Sequence, residues 1–379
     1  MTMSAFEKHR HVIDFTLSSL LRRKGKNFSL LAVYTFVIFL VASVMFLTHS
    51  IKEDAYMVLT DAPEITVQKL MAGRHDLIPL SYMEPIREIR GVQSVEPRLW
   101  GYYFDGTNKA NYTLVVKKEM NNTPGAISVG NGVARNLLVK ENGIIPFKAY
   151  DGSYLFLKIK DVFSSESELV SSDLILISEQ DFRKIFAFPP DVATDLVLRV
   201  RNPRELTTIA TKINQMFPDT RPILREEILR TYEAVFDWRG GLVIIILWGA
   251  ALAFVILAWD RATGLSAEEK REIGILKAIG WETSDVLLMK FWEGAVISFS
   301  AFSFGLLLAY AHVYFASFIL FESTIKGWSI IYPQFRLTPF VSIYQIATLF
   351  FLTVVPYTVT TIAPSWRAAT IDPDMVMRA

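Results

Sequence analysis

The chain has 379 residues, 51% of them hydrophobic, 13% aromatic and 20% charged, where a soluble domain carries roughly 25% charge, and its mean hydropathy is +0.31. Its 39 Lys and Arg nearly balance 38 Asp and Glu, which argues against nucleic-acid binding. The absence of cysteine excludes disulfides, thiolate metal sites, iron–sulfur clusters and cysteine nucleophiles.

In chain order, residues 1–27 form a basic amphipathic segment with Lys8, Arg10, Arg22, Arg23, Lys24 and Lys26. Four uncharged apolar runs follow: Phe28–Thr48, Leu242–Trp259, 294–320 and Phe340–Ala363. Each is near the roughly 20 residues that a helix needs to cross a bilayer core of about 30 Å. Helices apolar all round belong in membranes. The first run exceeds a signal-peptide core and no small-x-small site follows His49, so it reads as a retained anchor.

Basic residues recur in 260–293 as Arg261, Lys270, Arg271, Lys277 and Lys290, whereas 321–339 has only Lys326 and Arg336. That asymmetry places both termini, including the tail 364–379, in the cytoplasm and residues 49–241 outside. The expected fold class is an α-helical membrane protein with four transmembrane helices and a large α+β extracytoplasmic domain inserted between helices 1 and 2. Its expected place is the inner (plasma) membrane.

Within 49–241, alternating apolar stretches predict strands at Glu64–Leu70, Val92–Phe104, Tyr112–Lys117, Tyr154–Val162, Leu174–Ser178 and Asp195–Arg201. Helical patterns cover Pro79–Arg90, Pro203–Phe217 and Arg225–Trp238. The last, with residues 49–60, predicts a helical stalk, with Gly240 and Gly241 as a hinge at its base.

No phosphate loop, nucleophile elbow or H-E-x-x-H occurs, so no catalytic, cofactor-binding or metal residue is assigned. His9 and His11 fall on different helix faces. The apolar runs contain no Asp, Glu, Lys or Arg, which speaks against an ion-coupled pump. His312 reads as an interfacial or packing residue.

The informative stretch is Ser266–Gly280 (SAEEKREIGILKAIG). Ser266 and Glu269 have capping-box spacing, which predicts a helix start. Ile273, Leu276 and Ile279 or Gly280 make an apolar stripe beside Glu269, Glu272 and Lys277, and Thr283 or Ser284 is positioned to cap the next helix. Such a helix between two spans suits either a lipid surface or a cytoplasmic partner.

Arg271–Gly280 (REIGILKAIG) closely resembles the signature of FtsX/MacB-like permeases of ATP-binding-cassette systems, the group of type VII architecture with MacB, LolC/LolE and FtsX types. Three further segments are similar to that family: Phe15–Lys24 (FTLSSLLRRK), Ile86–Pro97 (IREIRGVQSVEP) and Pro364–Pro373 (PSWRAATIDP). The chain departs from MacB in having no fused nucleotide-binding domain, and Trp281 stands where a small residue is common.

The resemblance implies a non-enzymatic permease subunit that converts ATP hydrolysis in a separate ATPase into periplasmic movement. It would act on a lipid, lipoprotein or other envelope substrate. ATP and magnesium would be held by two ATPase copies, and a second permease copy would complete a homodimer or paralogous heterodimer, with a periplasmic adaptor or acceptor as a further partner. ATPase coupling falls on Glu269, Arg271, Glu272, Ile273, Gly274, Ile275, Leu276, Lys277 and Gly280, with Ile273 and Leu276 as the docking contacts. The small run Gly249, Ala250 and Ala251, with the hinge pair, is assigned to the dimer contact and stalk. Two alternatives stand beside this reading: an FtsX-like regulator of an envelope hydrolase, which transports nothing, and a receptor with an outer sensing domain.

Overall fold

The computed structural model describes residues 5–60, 62–163, 171–231, 267–322, 331 and 337–370, together with positions 245, 248, 249, 252, 253 and 256. They divide into two compact units: Met1–Ser50 with Arg239–Ile319 and Pro339–Ala379, and Ile51–Trp238 with Leu320–Thr338.

The first unit is helical. A lead-in helix, Ala5–Arg22, precedes a long helix, Lys24–Thr60. A connecting helix, Ala267–Ala278, precedes a second long helix, Thr283–Tyr310, that runs into a π turn at Ala311–Phe315. The last helix is Ile343–Thr370. Three segments are long and apolar enough to cross a membrane: Lys24–Asp54, Thr283–Phe315 and Ile343–Trp366. The expected span Leu242–Trp259 lies almost wholly outside the described residues, as do Gly240, Gly241, Ala250 and Ala251.

Small side chains let these helices approach closely. A Cβ on Gly305 would lie 2.8 Å from Ile38 Cγ2, and one on Gly294 would lie 2.7 Å from Thr361 Oγ1. Ser298 and Thr358 hydroxyls meet at 3.2 Å. Tyr34 stacks on Tyr357 at 5.0 Å and donates to the Thr353 carbonyl at 2.7 Å, beside the helix hydrogen bond that Pro356 cannot make. His312 is buried, with Nδ1 3.2 Å from Ser43 Oγ, the packing role expected of it. The long helix before it starts at Thr283, ahead of the expected 294, and so includes the buried Lys290, paired with the partly buried Glu293 at 2.6 Å.

The second unit is α+β. Its strands are β1 Ile65–Met71, β2 Arg74–Asp76, β3 Ile78–Pro79, β4 Val92–Arg98, β5 Trp100–Asp105, β6 Ala110–Val116, β7 Ala126–Gly130, β8 Ile144–Lys148, β9 Tyr154–Phe163, β10 Leu174–Ile177, β11 Val192–Ala193, β12 Asp195–Val200 and β13 Thr220–Leu224. One sheet has the order β13-β1-β12-β4 with β2 on β1, a second has β5-β6-β10-β7-β9-β8, and β11 pairs with β3. A single apolar core, including Ile65, Leu114, Ile127, Phe147, Leu196 and Ile213, joins both large sheets. Ile331, from the segment before the last helix, packs on that core beside Gly132, where an added Cβ would come within 2.7 Å of its Cγ2.

Two expectations change here. Val92–Phe104 is two strands, because the chain leaves one sheet and enters the other at the buried Leu99. Pro79–Arg90 is a 3-10 turn at Leu80–Tyr82 and a short helix, Met83–Arg87, stopped before Gly91, whose φ of +101° suits glycine. The helix Leu206–Met216 buries Ile209 and Ile213 as its periodicity predicts.

Candidate functional site

The connecting helix Ala267–Ala278 is clamped on its acidic side. Glu272 accepts from Ser19 Oγ at 3.0 Å and pairs with Arg22 at 3.4 Å and Arg23 at 2.5 Å. Glu269, its side chain only 4% exposed, lies 3.4 Å from Arg23 and 3.7 Å from Lys26. A buried carboxylate needs such partners, since desolvation without them is costly. The basic residues that the sequence reading counted as topology signals therefore also fasten this helix to the N-terminal segment. Nothing in their spacing announces that partnership.

The helix ends in a Schellman closure. Trp281 N donates to the Leu276 carbonyl and Gly280 N to the Lys277 carbonyl, both at 3.0 Å, while Gly280 sits at φ +100°. Trp281 packs on Leu276 and Ile273 and approaches the Phe15 ring at 5.2 Å. Lys277 Nζ donates to the Ala369 carbonyl at 2.6 Å, tying the helix to the end of the last helix. The next helix is capped by Glu282, in a reciprocal box with Asp285, one residue before the expected Thr283 or Ser284. Ser266 lies outside the described residues.

Ile273 and Leu276 face the chain's own interior. Ile273 packs with Val286 and Ala369, and Leu276 with Val12 and Met289. Gly274 is buried too. The periodic stripe marks an internal seam, because an apolar stripe by itself does not say which surface covers it. The exposed large apolar residues are Ile275 at 48% and Ile279 at 68%, and with the exposed Arg271 they follow at i, i+4 and i+8 along one line. Lys270 is exposed as well. Of the residues assigned to a dimer contact, Gly249 alone is described; it is exposed, with nothing within 4 Å of an added Cβ. Among the described residues no cluster of three or more metal-ligating side chains occurs.

The connecting helix and its surroundings are the part of the chain that known families recognise. Residues 241–373 match the FtsX-like permease C-terminal family model. The REIGILKAIG segment lies inside that range, as do the helices Thr283–Tyr310 and Ile343–Thr370. No curated protein matches the chain. Among solved structures, the periplasmic region of MacB from Actinobacillus actinomycetemcomitans is similar at 8% identity, covering 45% of this chain and 92% of that one with a TM-score of 0.32. The extracellular domain of the noncanonic ABC-type transporter YknZ from Gram-positive bacteria is similar at 8% identity, covering 42% and 98% with a TM-score of 0.30.

Proposed function

We propose that this chain is the membrane subunit of an ATP-binding-cassette system, docked on a separate ATPase through the exposed line Arg271, Ile275 and Ile279. The observation that carries the reading is that line itself: an exposed basic and apolar ridge on a short, tightly fastened helix inside the segment that matches the FtsX-like permease family. The ion pairs to Arg22, Arg23 and Lys26 and the Lys277 bond to Ala369 make the helix a rigid lever, so force applied to the ridge reaches the N-terminal segment and the last helix together.

On this reading the subunit is not an enzyme. ATP and magnesium belong to the partner, two ATPase copies serve two permease copies, and hydrolysis inside moves the α+β unit outside to export or extract a lipid, lipoprotein or other envelope substrate. Residues 49–241 lie outside the cytoplasm and both termini inside. The test is copurification of the full chain from mild detergent. An ATPase subunit should travel with the natural chain and be lost from the Ile275→Asp, Ile279→Asp double variant at unchanged membrane content. Equal ATPase recovery with both chains would sink the docking assignment.

A further inference from the structure

We infer that the α+β unit carries a binding site for an anionic amphiphile, a single carboxylate or phosphate head on an aliphatic body, held by Arg98 and Lys117. The site is a cavity of about 620 Å³. One wall is the outward face of β4 and β12, where Ser94, Glu96 and Arg98 alternate away from the buried Val95 and stand opposite Arg199, Val197 and Asp195. The other is the end of β6 with the 3-10 turn Lys118–Asn122 and the start of the helix Glu179–Phe186. The Glu179 amide donates to Asn121 Oδ1 at 2.9 Å, which fastens that turn to that helix. A volume of this size is what a small-molecule site offers.

Arg98 is placed to hold an anion. Asp195 occupies one edge of its guanidinium, through Nε and Nη2 at 2.8 and 2.7 Å. A guanidinium has a second forked edge, formed by Nη1 and the other Nη2 proton. On Arg98 that edge has no acceptor among the described residues, and the side chain is 37% exposed. The buried Asp195 fixes the fork, so an incoming carboxylate or phosphate meets donors that are already ordered. Lys117 lines the same cavity, is exposed, and has no side-chain partner among the described residues.

The rest of the lining sets the sign and the shape of the ligand. Lys118 and Arg183 are matched by Glu96 at 2.7 Å and Glu179 at 2.8 Å. Arg98 is matched by Asp195, and the lining then adds Lys117 and Arg199 against Glu119, so positive charge is in excess. That excess disfavours a metal ion or an ammonium head. Half-buried Leu80, Val115, Val116 and Val197 supply apolar surface, and no aromatic side chain lines the cavity among the described residues. A flat ring has no stacking partner there, whereas an aliphatic chain has a wall to cover. The inference stands on the α+β unit alone and survives failure of the ATPase assignment.

The test is calorimetric titration of the full-length protein in neutral-lipid nanodiscs, corrected with empty nanodiscs, using octanoate, octyl phosphate, octylammonium and acetate. At least one of the two octyl anions should bind saturably, one per chain, and at least tenfold more tightly than octylammonium. The tighter of the two names the head, phosphate for a phospholipid and carboxylate for a free acid. Lys117→Glu should weaken that binding at least tenfold, and Ser94→Trp, which fills the cavity without touching its charges, should abolish it. Thermal unfolding shows whether each variant keeps its fold; if Ser94→Trp does not, head selectivity and Lys117→Glu decide alone. Lack of saturable binding, equal binding of octylammonium, acetate as tight as the octyl anions, or normal binding by Lys117→Glu or by a folded Ser94→Trp would each overturn the inference.

Discussion

Arg98 grips Asp195 with both arms of its guanidinium, Nε to Oδ1 at 2.8 Å and Nη2 to Oδ2 at 2.7 Å, at the point where the chain passes from one sheet to the other. Asp195 is fully buried and also accepts from the Trp100 indole at 2.8 Å, so one carboxylate pins the last residue of β4 and the first of β5. Asp195→Ala should destabilise the α+β unit by on the order of 2 kcal/mol, below the range for a wholly buried pair because Arg98 regains water. Chemical denaturation followed by tryptophan fluorescence checks this.

The two faces of the connecting helix should respond differently to the same chemistry. Ile273→Ala removes buried packing and should cost roughly 2–4 kcal/mol of local stability. Ile279→Ala deletes an exposed side chain and should leave stability within about 0.5 kcal/mol while weakening ATPase association. Protease resistance of 267–290 measures the first effect and pull-down of the ATPase the second.

Exchanging Arg23 and Glu272 separates a clamp from a coincidence of charge. Glu272→Arg alone should loosen the N-terminal segment, read as faster amide exchange over 5–22, and Arg23→Glu added to it should restore much of the protection. No restoration would mean that Ser19 and Arg22 hold the contact without Arg23.

Glycine substitutions distinguish packing inside the chain from packing between chains. Gly305→Leu drives a side chain into Ile38 and the Thr35 carbonyl and should lower the yield of folded protein. Gly249→Leu meets no described residue within 4 Å of its Cβ, so loss of dimer in crosslinking at unchanged yield would place that residue at a subunit contact.

Acid should loosen the β5–β6 turn. Burial pushes the Asp105 carboxyl up, but hydrogen bonds from the Asn108 side chain, the Thr107 and Asn108 amides and Tyr112 outweigh it and hold the group below the usual carboxylate range. A depressed carboxyl stabilises the fold above its unfolded value near about 4 and loses that contribution as pH falls through the folded one. The protection of amides 105–110 against exchange, relative to their intrinsic rates at each pH, should therefore fall below about pH 4, and Asp105→Asn should abolish that loss.

Topology follows the same cysteine-free chain into a labelling experiment. Asn142→Cys, exposed in the loop before β8, should react with an impermeant thiol reagent on intact spheroplasts, and Lys270→Cys should react only after lysis.

Sequence alone determined where the chain can meet a membrane, because long uncharged runs have few other stable environments, and it determined the mixed α+β character of 49–241 through period-two and period-three-to-four alternation. The REIGILKAIG motif likewise marked the connecting helix without any contact being known. Tertiary structure decided what those patterns touch. The alternation through Val92–Phe104 is continuous, and only pairing with β12 on one side of Leu99 and β6 on the other splits it between two sheets. Ile273 and Leu276 have the same apolar chemistry as Ile275 and Ile279, and what separates seam from ridge is the position of Val286 and Met289 on the next helix and of Val12 and Ala369, far away in the sequence. Arg23 and Glu272 are likewise far apart along the chain, and their pairing depends on two helices packing side by side, a fact that local spacing does not encode.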